Sequence, residues 1–234
     1  MKARIRAVGG RSLRSTSASG TPRSSRQSLR DTAYEAIKRR IMTCAFRPGE
    51  SINEVQVASL IGVGRTPVHQ ALDRLMLEDM VEVIPRKGVI VKPVSLHDVM
   101  QMVEVRLINE TYCARLAAER AEDKHISEMQ QIFADAQKAI SAQNVRELML
   151  LDGRFHHAFA SAARNDELVK ILRILNERAL RFWFISFTTP DHHESFQRQH
   201  GAILDAIRRR DSGAAEDAVR THIEAFRASV ARHL

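Results

Sequence analysis

From residue 95 to residue 234, apolar side chains recur at the three- and four-residue spacing of helices, and no alternating strand pattern interrupts them. The periodicity and its breaks predict six helices, at 95–121, 125–141, 144–163, 166–187, 192–209 and 212–233. Amphipathic helices bury their apolar faces against one another, so this half is expected to be an all-helical antiparallel bundle. The whole chain is therefore predicted to be mainly α.

The preceding stretch, residues 29–94, has a different pattern. Helical spacing predicts three helices there, at about 29–44, at 54–61, and from Thr66, whose side chain would cap the third helix, to about Met80. Two short β-rich runs, at 81–84 and 89–92, flank a Pro-Arg-Lys-Gly segment and predict a hairpin with a basic tip. Helix, tight turn, helix and hairpin in this order predict a winged helix-turn-helix over residues 29–94.

The positive charge is concentrated in the N-terminal part of the chain. Residues 1–94 carry 17 Lys and Arg against 8 Asp and Glu, whereas residues 95–234 carry 19 against 20. This asymmetry predicts a polyanionic partner such as DNA, although a solubilising tail and an ordinary surface explain it equally well. Residues 1–28, with seven basic and no acidic residues, predict a disordered tail that either adds phosphate contacts or is inert.

A winged helix-turn-helix reads bases with the N-terminal end of its second helix and touches the backbone with its hairpin. The predicted DNA-contacting residues are therefore Arg65, Thr66, His69, Gln70 and Arg74 on the helix, and Arg86, Lys87 and Gly88 on the hairpin. Arg65 is suited to bidentate pairing with guanine. The alternative is an amphipathic helix with a solvated face beside an incidental hairpin.

The run Leu60-Ile61-Gly62-Val63-Gly64-Arg65-Thr66-Pro67-Val68-His69-Gln70-Ala71-Leu72, with Leu75 and the hairpin at 81–91, resembles the DNA-binding domain of the GntR family of regulators. The resemblance implies that Arg65 and Thr66 are the main DNA-contacting pair. The chain departs from the family at Gly64, where Ser or Thr is usual, and at His69-Gln70, where Arg-Glu is usual. These departures predict altered operator contacts.

Four residues in the helical half fall on apolar helix faces, where polar groups need partners: Asp152, His156, His200 and His222. Asp152 and His156 are four residues apart, so they project from the same side of one helix. A buried unpaired carboxylate is costly, and one Asp with three His converging in a bundle would form a divalent metal site with open positions. The alternative is a set of core histidines satisfied by hydrogen bonds.

This half also resembles the FCD effector domain of the FadR-like branch of the GntR family, in its shorter VanR-type form. The matching segments are Glu104-Val105-Arg106 with Glu110, Asp152-Gly-Arg-Phe155-His156, Asn165, His200-Gly-Ala-Ile203-Leu204-Asp205-Ala206-Ile207, Asp211 and His222. The resemblance implies that Asp152 and the three histidines bind zinc or nickel, which helps to hold a small organic acid. It also implies ligand contacts from Arg106, for which a salt bridge to Glu110 is the alternative, and from Asn165. Helical phase adds Arg178, Arg181 and Trp183 to the expected pocket walls.

Together these patterns predict a ligand-responsive transcription regulator that binds a pseudo-palindromic operator as a homodimer. The resemblance implies that it is a repressor, because repression relieved by a ligand is the commoner behaviour in the family. Three other functions remain open: a metal sensor whose ion is the signal, a metalloenzyme, and a non-specific nucleoid binder. No enzymatic acid–base residue stands out beside the predicted metal ligands. Two cysteines, no secretory signal and no apolar run long enough for a membrane span predict a cytoplasmic protein.

Overall fold

The structure is a computed structural model that describes residues 28–186 and 191–233. The predicted basic tail therefore lies outside the described residues, apart from Ser28. Ser28 begins the first helix, because its Oγ accepts a hydrogen bond from the backbone N–H of Asp31.

The N-terminal half contains three helices and three short strands. They are α1 (Leu29–Met42), β1 (Ser51–Ile52), α2 (Glu54–Ile61), α3 (Arg65–Leu77), β2 (Val81–Ile84) and β3 (Gly88–Val91). The antiparallel β2–β3 hairpin confirms the predicted wing, and β1 pairs with the other edge of β3. Two residues are too few for an alternating pattern, so β1 was not predicted.

The turn between α2 and α3 determines where the second helix of the motif begins. Gly62 ends α2 with φ 70°, in the left-handed region that glycine adopts without a Cβ clash. Gly64 is the N-cap of α3 and provides no side-chain hydrogen bond, so the predicted capping of this helix by Thr66 is wrong. Thr66 instead lies in the first turn with its side chain exposed.

The C-terminal half consists of the six predicted helices, within the part of the chain that the structure describes. They are α4 (Leu96–Arg120), α5 (Asp123–Ser141), α6 (Val145–Ala162), α7 (Asp166–Ser186), α8 (Asp191–Arg208) and α9 (Ser212–His233). Their apolar faces form one core, which is separate from the core of the N-terminal half. Among the described helices, none combines the length and apolarity needed to cross a membrane.

A buried polar cluster joins the two halves where α1 meets α7. Lys38 of α1 places its Nζ 2.9 Å from Oε2 of Glu78 and 2.5 Å from Oε2 of Glu177 on α7. The hydroxyl of Tyr34 donates to Glu78 and accepts from Lys38 and from Arg173 of α7. We call these five residues the seam cluster. They tie the N-terminal half to the bundle through groups that are mostly removed from water.

Candidate metal centre and nucleic-acid interface

The structure brings the four predicted metal ligands together in the centre of the bundle. His156 of α6, His200 of α8 and His222 of α9 each offer a ring nitrogen, and these atoms all lie within 4.8 Å of one another. Oδ1 of Asp152 lies 3.3 Å from Nε2 of His200 and 3.9 Å from Nε2 of His156. Three helices thus direct one carboxylate and three imidazoles at the same small volume.

An outer partner orients one of the imidazoles. Nδ1 of His222 lies 2.9 Å from Oε1 of Gln199, so this nitrogen carries the proton and donates it to the amide oxygen. This contact fixes the ring and leaves Nε2 as the free lone pair, which is the usual outer arrangement of a metal-bound histidine. Nδ1 of His156 faces Oε2 of Glu110 on α4 at 3.5 Å without a hydrogen bond. Glu110 accepts a hydrogen bond of 2.5 Å from Nε of Arg106.

Burial and charge set the protonation states of the cluster. His156, His200 and His222 are at most 8% exposed. Burial, reinforced by His200, His156 and Arg106, holds the pKa of His222 well below its usual range. Burial alone would raise the pKa of Asp152, but the hydrogen bond from His200 and the nearby positive groups outweigh it and lower this pKa. A neutral imidazole and an ionised carboxylate are the forms that bind metal ions.

The residues present fit a divalent ion. Three imidazole nitrogens and one carboxylate oxygen are the donor set that Zn²⁺ and Ni²⁺ accept. Two nitrogens bound to one zinc would lie about 3.3 Å apart. The observed spread of up to 4.8 Å is therefore somewhat wider than a bound ion requires. Small side-chain rotations can remove the difference, and the edge of Phe155 packs on His200 and limits larger ones, with ring centroids 4.7 Å apart.

The predicted ligand-contacting residues have different surroundings. Arg106 lies beside the histidine cluster, 2% exposed, and forms the ion pair with Glu110 that the sequence offered as the alternative. Asn165 accepts a hydrogen bond from the backbone N–H of Leu168 and so caps the start of α7. The structure therefore gives both side chains a partner within the protein, and only Arg106 is adjacent to the cluster.

Two arginines that helical phase assigned to the pocket walls lie instead between the two halves of the protein. Arg178 donates to Asp79, and Arg181 donates to the carbonyl oxygen of Lys92 at the end of the wing. The third predicted wall residue, Trp183, has a side chain outside the described part of the structure. His157, which was not among the predicted ligands, is exposed on α6.

Most of the predicted DNA-contacting residues lie on an open surface. Arg65, Thr66 and Gln70 are exposed on the first turns of α3. His69 is also exposed, and its Nδ1 lies 2.9 Å from Oε1 of Glu54 on α2. This hydrogen bond and the nearby Asp73 raise the pKa of His69, which favours a positive charge on this surface. Of the wing residues, Arg86, Lys87 and Gly88 are exposed at the hairpin tip, and Arg86 (φ 69°) and Gly88 (φ 80°) adopt left-handed conformations.

Arg74 differs from the other predicted DNA contacts. Its guanidinium carbon stacks 3.6 Å from the centre of the Tyr34 ring, and its Nε lies 3.6 Å from Oε1 of Glu78. Arg74 therefore covers one side of the seam cluster. A DNA phosphate that contacted Arg74 would have to share its guanidinium with Tyr34 and Glu78.

Sequence reasoning missed several members of both sites. Gln199 precedes a predicted ligand, but nothing in its position indicated a bond to His222. Glu110 was predicted only as a partner of Arg106, whereas it also faces His156. One feature of the sequence could have indicated the seam cluster. Lys38 and Glu78 are adjacent in sequence to apolar core positions, and a charged side chain that is buried there requires a partner.

A winged helix-turn-helix joined to a helical bundle with buried polar groups defines the class of DNA-binding transcription regulators with a C-terminal effector domain. Residues 29–91 match the bacterial regulatory proteins of the gntR family, and residues 101–225 match the FCD domain. The chain belongs to the GntR family of transcription regulators and carries the FCD effector domain of the FadR-like branch.

Named relatives agree with this assignment. The Nta operon transcriptional regulator of Aminobacter aminovorans is 34% identical over 73% of this chain and 80% of its own length. The HTH-type transcriptional repressor RspR of Escherichia coli is 26% identical over 87% of this chain and 90% of its own. The solved structure of E. coli McbR/YncC, at 19% identity, shares the fold with a TM-score of 0.79 over 88% of this chain and 98% of that one. The first two relatives are named as transcription regulators, and the matching family is one of regulatory proteins rather than enzymes, which argues against the metalloenzyme alternative.

Proposed function

We propose that this regulator is a homodimeric repressor whose affinity for a pseudo-palindromic operator changes when a small carboxylic acid binds beside a divalent metal ion in the bundle. The observation that carries the proposal is the convergence of Asp152, His156, His200 and His222 at one buried point.

Asp152 and the three histidines would hold the metal ion, with zinc and nickel the best matches to the donor set. The ion would supply a Lewis-acidic centre that attracts a carboxylate. The chain itself provides the second attraction, because Arg106 places a buried cation next to the cluster. Glu110 already neutralises Arg106, so an acid would bind best by drawing the guanidinium partly away from Glu110.

The first turns of α3 would read the operator. Arg65 and Gln70 are free to contact base edges, and Thr66 lies where the N-terminus of the helix favours a phosphate. Arg86 and Lys87 at the wing tip would contact the backbone. His69 and Arg74 would contribute less, because Glu54 and Tyr34 already engage them.

A second copy of the chain would pack on the exposed face of α4. Val105, Ile108 and Tyr112 form an apolar stripe on this face, and they are 44%, 73% and 54% exposed. In a two-fold antiparallel pair centred on Ile108, Glu104 of one copy lies opposite Tyr112 of the other, and Gln101 lies opposite Arg115. Glu104 thus faces a hydroxyl donor and Gln101 faces a guanidinium that is also 3.4 Å from Glu216, so the polar residues beside the stripe can pair across the two-fold axis.

Coupling would run from the bundle to α3 through α7. The histidine cluster lies against α6, α6 packs on α7, and the seam cluster ties α7 to α1 and the end of α3. A ligand that shifts α7 would therefore change how the two recognition helices are held. Couplings of this kind are typically worth about 1–3 kcal/mol, or 5- to 150-fold in DNA affinity.

The test is operator binding by the full chain, measured with and without a panel of small carboxylic acids, with and without a chelator, in the wild type and in His156→Ala. We expect one class of acid to weaken operator binding only in the metal-loaded wild type. A metal-dependent change that needs no acid would instead identify a metal sensor. Equal affinity for operator and random DNA would identify a non-specific nucleoid binder.

A further inference from the structure

A buried arginine without a carboxylate partner lies at the junction of the wing, α4 and α7. Arg181 of α7 is 4% exposed. Its Nη2 donates to the carbonyl oxygen of Lys92, whereas its Nε is buried with no hydrogen-bond partner. No carboxylate of the described residues lies within ion-pair distance of it. An unpaired buried cation is expensive, and proteins normally supply it with an anion.

The acidic side chains around Arg181 do not supply the missing anion. Asp79 is the nearest acidic group on the wing side, but it is already bound by Arg178 and by Lys92, whose Nζ lies 2.5 Å from Oδ1. Asp98, on the first turn of α4, makes no ion pair among the described residues. Two carboxylates thus face three cations at this junction, which leaves one positive charge uncompensated. Burial also lowers the pKa of the Arg181 guanidinium, as expected for a cation short of partners.

A cavity adjoins this uncompensated charge. It has a volume of about 40 Å³. Its charged lining consists of three cations, Arg181, Arg178 and Lys92, and two carboxylates, Asp79 and Asp98, and its apolar lining includes Met80, Val94 and Met102. One water-sized group needs about 10–15 Å³ of such space, so the cavity has room for about three of them. That is the size of a halide ion or of a single carboxylate group with a short stem.

We infer that this cavity is a second anion site, in which Arg181 binds a small monovalent anion, either a halide or a short carboxylate, between the wing and the bundle. The site is independent of the proposed histidine-bound metal, because none of its lining residues belongs to that cluster. Its occupant would touch the wing end, α4 and α7 at once. It would therefore stabilise the junction between the two halves and favour one orientation of the DNA-binding half.

The experiment is thermal unfolding of the full chain at constant sodium concentration, in which gluconate, too bulky for the cavity, is replaced by chloride or by formate. At ten times its dissociation constant, an anion that fits should raise the wild-type melting temperature by about 3 °C. The shift should vanish in Arg181→Met. It should persist in the matched control Arg208→Met, which removes an arginine that is 56% exposed and paired with Asp205.

Comparing chloride with formate shows which kind of anion occupies the cavity. A shift with chloride alone identifies a halide site, and a larger shift with formate identifies a carboxylate site. In gluconate, Arg181→Met should be at least as stable as the wild type, because the variant removes a buried charge that has no counterion. Equal anion shifts in the wild type and in Arg181→Met would overturn the inference.

Two further measurements guard against ambiguous results. If Arg181→Met does not fold, crystals of the wild type soaked in bromide should show an anomalous peak beside Arg181, and ordered bromide at other positions only would contradict the site. The shift should also survive a chelator and the His156→Ala substitution. Its loss under either condition would mean that the anion belongs to the histidine pocket, and the second site would be wrong.

Discussion

Lys38 and Glu177 form a buried ion pair between the DNA-binding half and the effector bundle, with Nζ and Oε2 2.5 Å apart. The two side chains are 4% and 17% exposed. Burial alone would lower the pKa of Lys38, but Glu177, Tyr34 and Glu78 outweigh it and raise this pKa. Lys38 therefore stays charged, whereas burial, the largest effect on Glu177, raises the pKa of that carboxyl despite the nearby Lys38 and Arg173. The contact links the relative position of α1 and α7 to the stability of the protein.

Lys38→Met should strongly destabilise the chain, because it removes the buried ammonium from Glu78 and Glu177 and leaves Arg173 as the one seam-cluster cation beside them. Breaking a buried pair in this way costs about 3–5 kcal/mol, to be measured by urea denaturation. The matched control is Lys138→Met, which removes a lysine that is 74% exposed and paired with Asp135. Exposed pairs contribute about 0–1 kcal/mol. Similar losses in the two variants would show that the seam cluster is not buried in solution.

Acidification should reduce the contribution of Glu78. Burial would raise its pKa, but hydrogen bonds from Lys38 and Tyr34 outweigh burial and hold the pKa below its ordinary value of 4.5. A lowered pKa means that the ionised form stabilises the folded state above pH 4.5, and that this stability is lost as the pH falls further. The difference in unfolding free energy between the wild type and Glu78→Gln should therefore be largest near pH 7 and shrink below pH 4.5.

The control for this titration is Glu167→Gln, which changes a carboxylate that is 77% exposed. The difference in unfolding free energy between Glu167→Gln and the wild type should stay small and change little over the same pH range. If the difference in unfolding free energy between the wild type and Glu78→Gln instead grew on acidification, the pKa of Glu78 in the folded protein would not be lowered.

Gln199→Ala should weaken metal binding without removing a ligand. The substitution takes away the acceptor for Nδ1 of His222, so this ring loses its fixed orientation. Loss of an outer partner typically lowers metal affinity about 10- to 100-fold, to be measured by competition titration with zinc or nickel. Gln197→Ala, on the same helix, is the control and should bind as the wild type does. Unchanged affinity in Gln199→Ala would mean that His222 does not bind the ion through Nε2.

Arg65→Ala and Lys87→Ala should weaken DNA binding in different ways. Arg65 is placed to pair with a base, so its loss should cost about 1–3 kcal/mol on the operator and little on random DNA. Lys87, at the wing tip, is placed to contact phosphate. Its loss should weaken binding to operator and random DNA alike. It should also lower, by about one unit, the slope of the logarithm of the binding constant against the logarithm of the salt concentration. Gel-shift titrations at several salt concentrations separate the two patterns, and an exchange of the patterns would reverse the assigned roles.

Ile108→Lys should convert the proposed dimer to a monomer. The side chain is 73% exposed at the centre of the α4 stripe, where a lysine pair related by two-fold symmetry would place like charges together. Sedimentation velocity should then give the mass of one chain and an unchanged fold. The control Leu77→Lys alters a side chain that is 87% exposed on α3 and should remain dimeric. A dimeric Ile108→Lys protein would move the interface to another surface.

Periodicity was enough to predict nearly all of the fold. The helices from α4 to α9 begin and end within a few residues of their predicted bounds, because their apolar repeats are long and their breaks are marked by polar or glycine residues. Local rules failed where segments were short. The two-residue strand β1 had no pattern to detect, and α3 begins one residue before Thr66 because the left-handed Gly62 sets the turn.

The candidate metal site was predictable for a similar reason. Asp152 and His156 share one helix turn, so their common direction follows from spacing alone, whereas the other two histidines required only that each helix face the core. The contacts of Gln199 and Arg181 depend on the rotation of neighbouring helices about their axes. Helical phase indicates that Arg181 points inward, but α7 packs against both halves of the protein, and phase does not distinguish between them.

The pairing of α4 with α9 has a consequence for how the protein is made. The ribosome delivers α4 long before α9, and at about 5–20 residues per second the interval lasts about 5–20 s. During this time the winged half is already complete, whereas the bundle lacks both the helix that packs along α4 and the imidazole of His222. A nascent chain stalled in this interval would therefore carry a finished winged half before the candidate metal centre could form.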